Sequence, residues 1–239
     1  MSNGSDNQTI STQNTNGNLL MELFLNLCLP TIILLKGHTW FHLPPKLALA
    51  LAMGCPLAYG ICDWVREKRF NWIAFLGLIS ISVKGSIGLL EFSNKWLAFN
   101  EALLPGIMAF TIIIFRLMKR PPFLIHFLLN DQFCYTDKIT KLLKEKNNYT
   151  KLIHKVYVYE WLLAALFCFS STLNFILAKY LVIHPAGSDT FNHELGMLTA
   201  WSFAVIAVPA TIALLGIAWR FFVQVKVLSN LKWEEIIRE

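Results

Sequence analysis

From Trp72 to Leu90 the chain runs almost without charge, and the one interruption, Lys84, falls near its middle. A run of this length matches the roughly 20 apolar residues that a helix needs to cross the hydrocarbon of a bilayer. An ammonium at that depth costs at least ~2.5–3.5 kcal/mol on insertion scales, so Lys84 requires shielding and a partner. At about 3.6 residues per turn, Gly77, Ser80, Lys84, Gly88 and Glu91 fall on one face of the predicted helix. Small residues there let neighbouring helices approach, and a carboxylate can pair with the ammonium. The expected fold is therefore all-α, a polytopic membrane protein with a polar seam.

The rest of the chain agrees with that class. Of 239 residues, 55% are hydrophobic and 15% charged, and the mean hydropathy is +0.50. Soluble domains carry about a quarter charged residues. The net charge of +6 does not indicate nucleic acid, because the cations sit between apolar runs and form no soluble basic face. Cys28, Cys55, Cys62, Cys134 and Cys168 form no CxxC pair, and four of them lie within apolar runs, as buried thiols acting as small hydrophobes would.

Residues 1–18 are a polar segment without Lys or Arg, expected to be a disordered tail because it has little apolar surface to bury. The missing basic n-region also separates it from a signal peptide, so the first apolar run is expected to remain as a span. Six runs follow, Leu19–Leu35, Leu47–Cys62, Trp72–Leu90, Leu97–Met118, Val156–Ile183 and Leu195–Val225, within a transmembrane domain over 19–228. Hydrocarbon offers the backbone no partner, and these runs are too long for barrel strands, so each is predicted to be a helix. Trp40, Trp64, Trp72, Trp96, Trp161 and Trp219 lie near run ends, where indole favours the interface.

Basic residues set the expected orientation. Sixteen fall in the loop after the second run, in the connection after the fourth, and at the C-terminal end; only Lys36, Lys46, Lys95 and Lys179 fall opposite. The positive-inside rule then places both termini in the cytoplasm, with 229–239 as a cytoplasmic tail. The connection 119–155 is expected to be a cytoplasmic amphipathic insert. Lys119-Arg120-Pro121-Pro122 closes the fourth span, since proline ends a helix and a basic pair stays with headgroups. Phe123–Leu129 is too short to span and reads as interfacial. Over 137–146, Ile139, Leu142 and Leu143 fall on one side and Lys138, Lys141 and Lys144 on another, the pattern of a basic helix anchored on anionic lipid. The acceptor-like triplets at Asn7 and Asn148 fall on the cytoplasmic side and are not expected to be glycosylated.

Residues that could carry chemistry are few. Glu22, Asn26 and Pro30 share a face of the first run; Glu160, Ser171 and Asn174 lie along the fifth; Glu101 opens the fourth. With Lys84, Ser80 and Glu91 they form a candidate polar seam. Glu22, Glu91, Glu101 and Glu160 lie close enough to run ends to be expected in water, which leaves Lys84 as the residue expected to act or to hold an essential ion pair. His38, His42, His184, His193 and Glu194 gather on the non-cytoplasmic side without HExxH-type spacing, so no metal is expected. No phosphate loop, dinucleotide fingerprint or Ser-His-Asp set is present, and neither a cofactor nor catalysis is expected. Only Pro30 and Pro209 hint at the paired broken helices of inverted-repeat transporters.

Several short stretches together resemble the bacterial intracellular septation protein A family and its longer six-span relatives. Asn26-Leu27-Cys28-Leu29-Pro30 is similar to that family's Asp-x-Leu-Pro, with Asn for Asp and one more residue of spacing. Tyr59–Arg66 is similar to its tyrosine followed by Trp-Val-Arg. Gly85-Ser86-Ile87-Gly88-Leu89 followed by Phe92, Asn94 and Trp96 is similar to its Gly-Gly-Leu-Thr-Leu hairpin. Lys119-Arg120-Pro121 is similar to its Lys-Lys-Pro, and Asn174, then Asn192 and Gly196 before Thr199, to its last hairpin. The sequence departs at His193-Glu194, where lysine is usual, at Lys84, which has no counterpart, and in a longer loop over 130–150. The resemblance implies an inner-membrane protein of envelope upkeep or septation, acting without catalysis through membrane-protein partners or as a homodimer. The competing expectation is a small transporter or channel lined by Lys84 and Asn174.

Overall fold

The computed structural model describes residues 24–67, 72–118, 120–129 and 134–236. Those residues are overwhelmingly helical and contain no β-strand. The helices are α1 (Leu29–Phe41), α2 (Pro45–Glu67), α3 (Trp72–Leu89), α4 (Asn94–Leu117), α5 (Phe123–Leu128), α6 (Thr136–Glu145), α7 (Tyr149–Leu181), α8 (Asp189–Trp201) and α9 (Val208–Ser229). A π-turn, Phe24–Cys28, precedes α1, and another, Ser202–Ala207, joins α8 to α9. Pro30 and Pro209 follow these turns, where the missing proline N–H leaves the backbone ladder locally open. Four stretches are long and apolar enough to cross a membrane: Pro45–Cys62, Asn94–Leu117, Tyr149–Leu181 and Asp189–Ser229. They coincide with four of the six expected runs. Of the other two, α3 is apolar but shorter, and part of the first lies outside the described residues. The expected tail over 1–18 also lies outside them.

Several element ends differ from expectation for local reasons. The first helix continues past Leu35 to Phe41, since nothing in Lys36-Gly37-His38-Thr39 stops it. It ends where His42 turns left-handed (φ 50°) and the Leu43 amide reaches back to the Gly37 carbonyl. Next, α2 begins at Pro45, directly after Pro44, in the first turn where the missing proline N–H costs nothing. Helix α7 starts at Tyr149, ahead of the apolar run, because Leu152 and Val156 are already fully buried there.

The described chain falls into two compact units: residues up to 104 with 174–203, and 105–173 with 204–236. In the first, α1 packs on α2 and α8, and α2 on α3. Glycine makes the approaches possible. A Cβ at Gly196 on α8 would stand 2.9–3.1 Å from Leu34 and Leu35 of α1. One at Gly88 on α3 would overlap Leu49 of α2 and stand 3.1 Å from the Phe191 ring.

In the second unit, Ile139 and Leu143 of α6 share an apolar core with Leu152, Phe221, Val225 and Ile236. The two most central apolar residues of this amphipathic helix thus face the chain itself, and its lysines lie on the other side. Residues 229–236 do not trail away: Ile236 is fully buried, the Tyr135 amide donates to the Ile236 carbonyl, and Lys146 Nζ donates to the Ser229 carbonyl at 2.7 Å.

Candidate functional site

The seam begins with the ion pair. Lys84 sits five residues before the end of α3 and Glu101 seven after the start of α4, so the α3–α4 hairpin brings them level. Their Nζ and Oε1 atoms are 2.5 Å apart, and the side chains are 18% and 14% exposed. Oε1 is buried and its angles to Lys84 are not those of a hydrogen bond, so the contact is Coulombic before it is directional. One residue earlier, buried Asn100 donates from Nδ2 to the Ser80 carbonyl at 3.0 Å. Two polar links thus tie α3 to α4 one helical turn apart. Asn100 was not among the expected residues; its signal was an amide directly beside Glu101 in an apolar run.

Glu91 is not part of this face. The helix ends at Leu89, Glu91 turns left-handed (φ 58°), and the Phe92 amide returns to the Ile87 carbonyl, so helical projection no longer applies at Glu91. Its carboxylate instead pairs with Lys46 at 2.9 Å on the surface, both side chains more than half exposed. Among the described residues Gly77, expected on the seam, has nothing within 4 Å of its Cβ position, whereas Gly88 is tightly packed. Ser80 contributes its carbonyl. Asn26 is exposed beside α1, Asn174 is half-buried on α7, and Glu22 lies outside the described residues.

The acidic residues expected to reach water divide in two. Glu91 is more than half exposed, while Glu101 is shielded by Lys84 and Glu160 is 3% exposed. Glu160 Oε1 accepts the Leu124 amide at 3.1 Å and so satisfies a backbone donor at the start of α5, where Pro121 and Pro122 cannot donate. Also within the second unit, the Arg116 guanidinium lies 3.6 Å over the Tyr157 ring. Its Nε and Nη1 are buried and have no hydrogen-bond acceptor among the described residues; the ring face and the nearby Glu160 carboxylate both favour the charge.

At the α7–α8 end of the first unit, polar side chains close the loop. Asn94 Nδ2 donates to the Val182 and His184 carbonyls at 3.1 and 2.7 Å. Glu194 Oε2 accepts the Ile183 and His184 amides at 2.9 and 3.0 Å, and its Oε1 lies 2.5 Å from His184 Nδ1. His38 faces Asp189 at 3.4 Å. Among the described residues no three His, Cys, Asp or Glu side chains gather as metal ligands would. The arrangement is a set of loop clamps.

Of the lysines expected at a lipid surface, Lys138 pairs with Glu235 at 3.0 Å and Lys144 stands 5.8 Å from the centre of the Tyr149 ring. Lys141 and Arg120 are exposed, and Lys119 lies outside the described residues.

Fold and site together define a protein whose described residues are helical, include four helices long and apolar enough to cross a membrane, and hold a charge pair shielded within one unit. The chain matches no protein-family model, no curated protein and no solved structure.

Proposed function

We propose that the chain is a six-span bacterial inner-membrane protein, with both termini and the 119–155 insert cytoplasmic, and that it serves envelope maintenance or division without catalysis, through membrane-protein partners. The observation that favours this reading over transport is the Lys84–Glu101 contact. Its charges compensate each other at 2.5 Å and are mostly shielded, which suits a hairpin fastener better than a residue that must take up and release a solute. The apolar groove between α2 and α3, about 290 Å³ and lined by Leu57, Ile61, Phe75, Leu78, Ile79, Ser82 and Val83, does not include Lys84. The septation role itself rests on the sequence resemblance.

The transport alternative keeps one supporting feature, the π-turns before Pro30 and Pro209. Depletion in the native cell separates the two. Long or misdivided cells and a leaky envelope, with solute uptake unchanged, support the first reading; loss of uptake with normal septa supports the second. Orientation is tested by labelling single cysteines at the exposed positions Thr190 and Lys141 in intact cells. Thr190→Cys should react before lysis and Lys141→Cys only after it; the reverse order overturns the topology.

A further inference from the structure

A groove of about 410 Å³ opens beside the first turns of α7, lined by Thr150, Lys151, His154, Lys155 and Leu228. We infer that it is a discrete binding site for the phosphate-bearing headgroup of an anionic lipid.

The chemistry comes first. Two lysines, a histidine and a threonine border one groove, and no carboxylate is among its described lining residues. Lys155 is held in place by donating to Gln224 Oε1 of α9 at 2.5 Å, which leaves further ammonium donors for an anion. Lys151 is exposed and has the reach of a flexible stem. Leu228 is fixed because its carbonyl accepts Asn148 Nδ2 at 3.0 Å, so the apolar wall is part of a built connection.

The walls then decide between a lipid and a free phosphate. They are almost wholly carbon, contributed by Leu228 and by the stems of the polar residues. A dissolved phosphate needs polar partners on most sides, whereas a lipid places its phosphate against cations and its glycerol and upper acyl carbons against carbon. Position agrees: the groove lies at the end of a helix long and apolar enough to span. These residues are separate from the α6 lysines, whose positive face is broad and partly engaged with Glu235. The inference rests on α7 being a membrane span and makes no use of the division role.

The test uses the full chain in detergent micelles containing equal amounts of phosphatidylglycerol and phosphatidylcholine, with retained lipid read by native mass spectrometry. One phosphatidylglycerol per chain should be retained in preference to phosphatidylcholine. Lys151→Gln/Lys155→Gln should lower its affinity on the order of thirtyfold, and Lys151→Gln alone about fivefold, as expected for one ammonium near a lipid surface. Lys138→Ala/Lys141→Ala should leave retention unchanged. Melting temperatures measured without anionic lipid confirm that each variant is folded, and Lys151→Gln, at an exposed position, keeps the test open if the double variant is not. Equal retention of the two lipids overturns the site, and so does equal loss in both lysine pairs, which would mean diffuse attraction. Displacement of the lipid by millimolar inorganic phosphate would assign the groove to a soluble phosphate and overturn the lipid. Release of the chain from native membranes by alkaline carbonate would overturn the span reading together with the site, whereas a chain that stays inserted but shows no lipid preference overturns the site alone.

Discussion

Lys84 Nζ on α3 and Glu101 Oε1 on α4 stand 2.5 Å apart, and more than four-fifths of each side chain is shielded. Removing either member leaves a charge facing apolar surroundings or forces it neutral. Breaking a buried pair costs ~3–5 kcal/mol in soluble proteins and polar contacts between membrane helices average ~0.6 kcal/mol, which places this partly shielded pair at about 2 kcal/mol. Lys84→Met and Glu101→Leu should each lose about that much in thermal unfolding in detergent, and the double variant should recover more than half of the summed loss. Strictly additive losses would show that the two side chains do not interact.

Two glycines on α3 should respond to the same change with opposite sign. Alanine at Gly88 must displace Leu49 and crowd Phe191, both fully buried, so Gly88→Ala should cost ~1–3 kcal/mol as overpacking does. Alanine at Gly77 meets nothing within 4 Å among the described residues, so Gly77→Ala should gain about 0.5–1 kcal/mol by restricting the unfolded backbone. Melting temperatures of the two variants check the pair, and a gain at Gly88 would show that the α2–α3 packing differs.

Glu160 offers a test of capping by a buried carboxylate. Glu160→Gln keeps an acceptor for the Leu124 amide, while Glu160→Leu leaves that amide without one, at a cost of ~1–3 kcal/mol. Hydrogen exchange at Leu124 should therefore speed up in the leucine variant and change little in the glutamine variant. Equal exchange in both would mean that the α5 start is held by packing alone.

Much of this was legible from residue order. Long apolar runs dictate helices wherever the backbone must satisfy itself, and four of the expected runs appear as spanning-length helices. The need of Lys84 for an acidic partner followed from the cost of an isolated ammonium. Its choice of Glu101 over Glu91 did not, because that depends on where α3 stops: one left-handed residue removes Glu91 from the helical face. Helical projection also cannot tell which side of an amphipathic helix meets protein. Ile139 and Leu143 looked ready for lipid, yet Phe221, Val225 and Ile236, some eighty or more residues later, share their core. Glu160 departs from expectation for a related reason. Nearness to a run end suggested water, but the proline-led return of the chain brings Leu124 to it.

That docked C-terminal turn should respond to acid. Glu235 is held below the usual carboxylate range, first by the Lys232 amide that donates to Oε2 at 3.1 Å and then by Lys138, whose Nζ donates to Oε1 at 3.0 Å. A lowered folded-state pKa means the docked turn favours the ionised acid. Its contribution is complete above the unfolded value of about 4.3 and is lost as pH falls through the lower folded value. Cys134 can report the loss. It is 2% exposed, burial raises its thiol pKa, and the neighbouring Tyr135 amide bonds to the Ile236 carbonyl at 3.2 Å. In a variant retaining only Cys134, a dipyridyl disulfide reagent, which reacts in acid as well, should modify it slowly at about pH 6 and faster towards about pH 3. Glu235→Gln and Lys138→Ala should raise the rate at about pH 6 and flatten this dependence, since each removes part of the interaction that acid abolishes. A rate indifferent to both acid and substitution would mean that the Lys138–Glu235–Lys232 contacts do not hold the turn over Cys134.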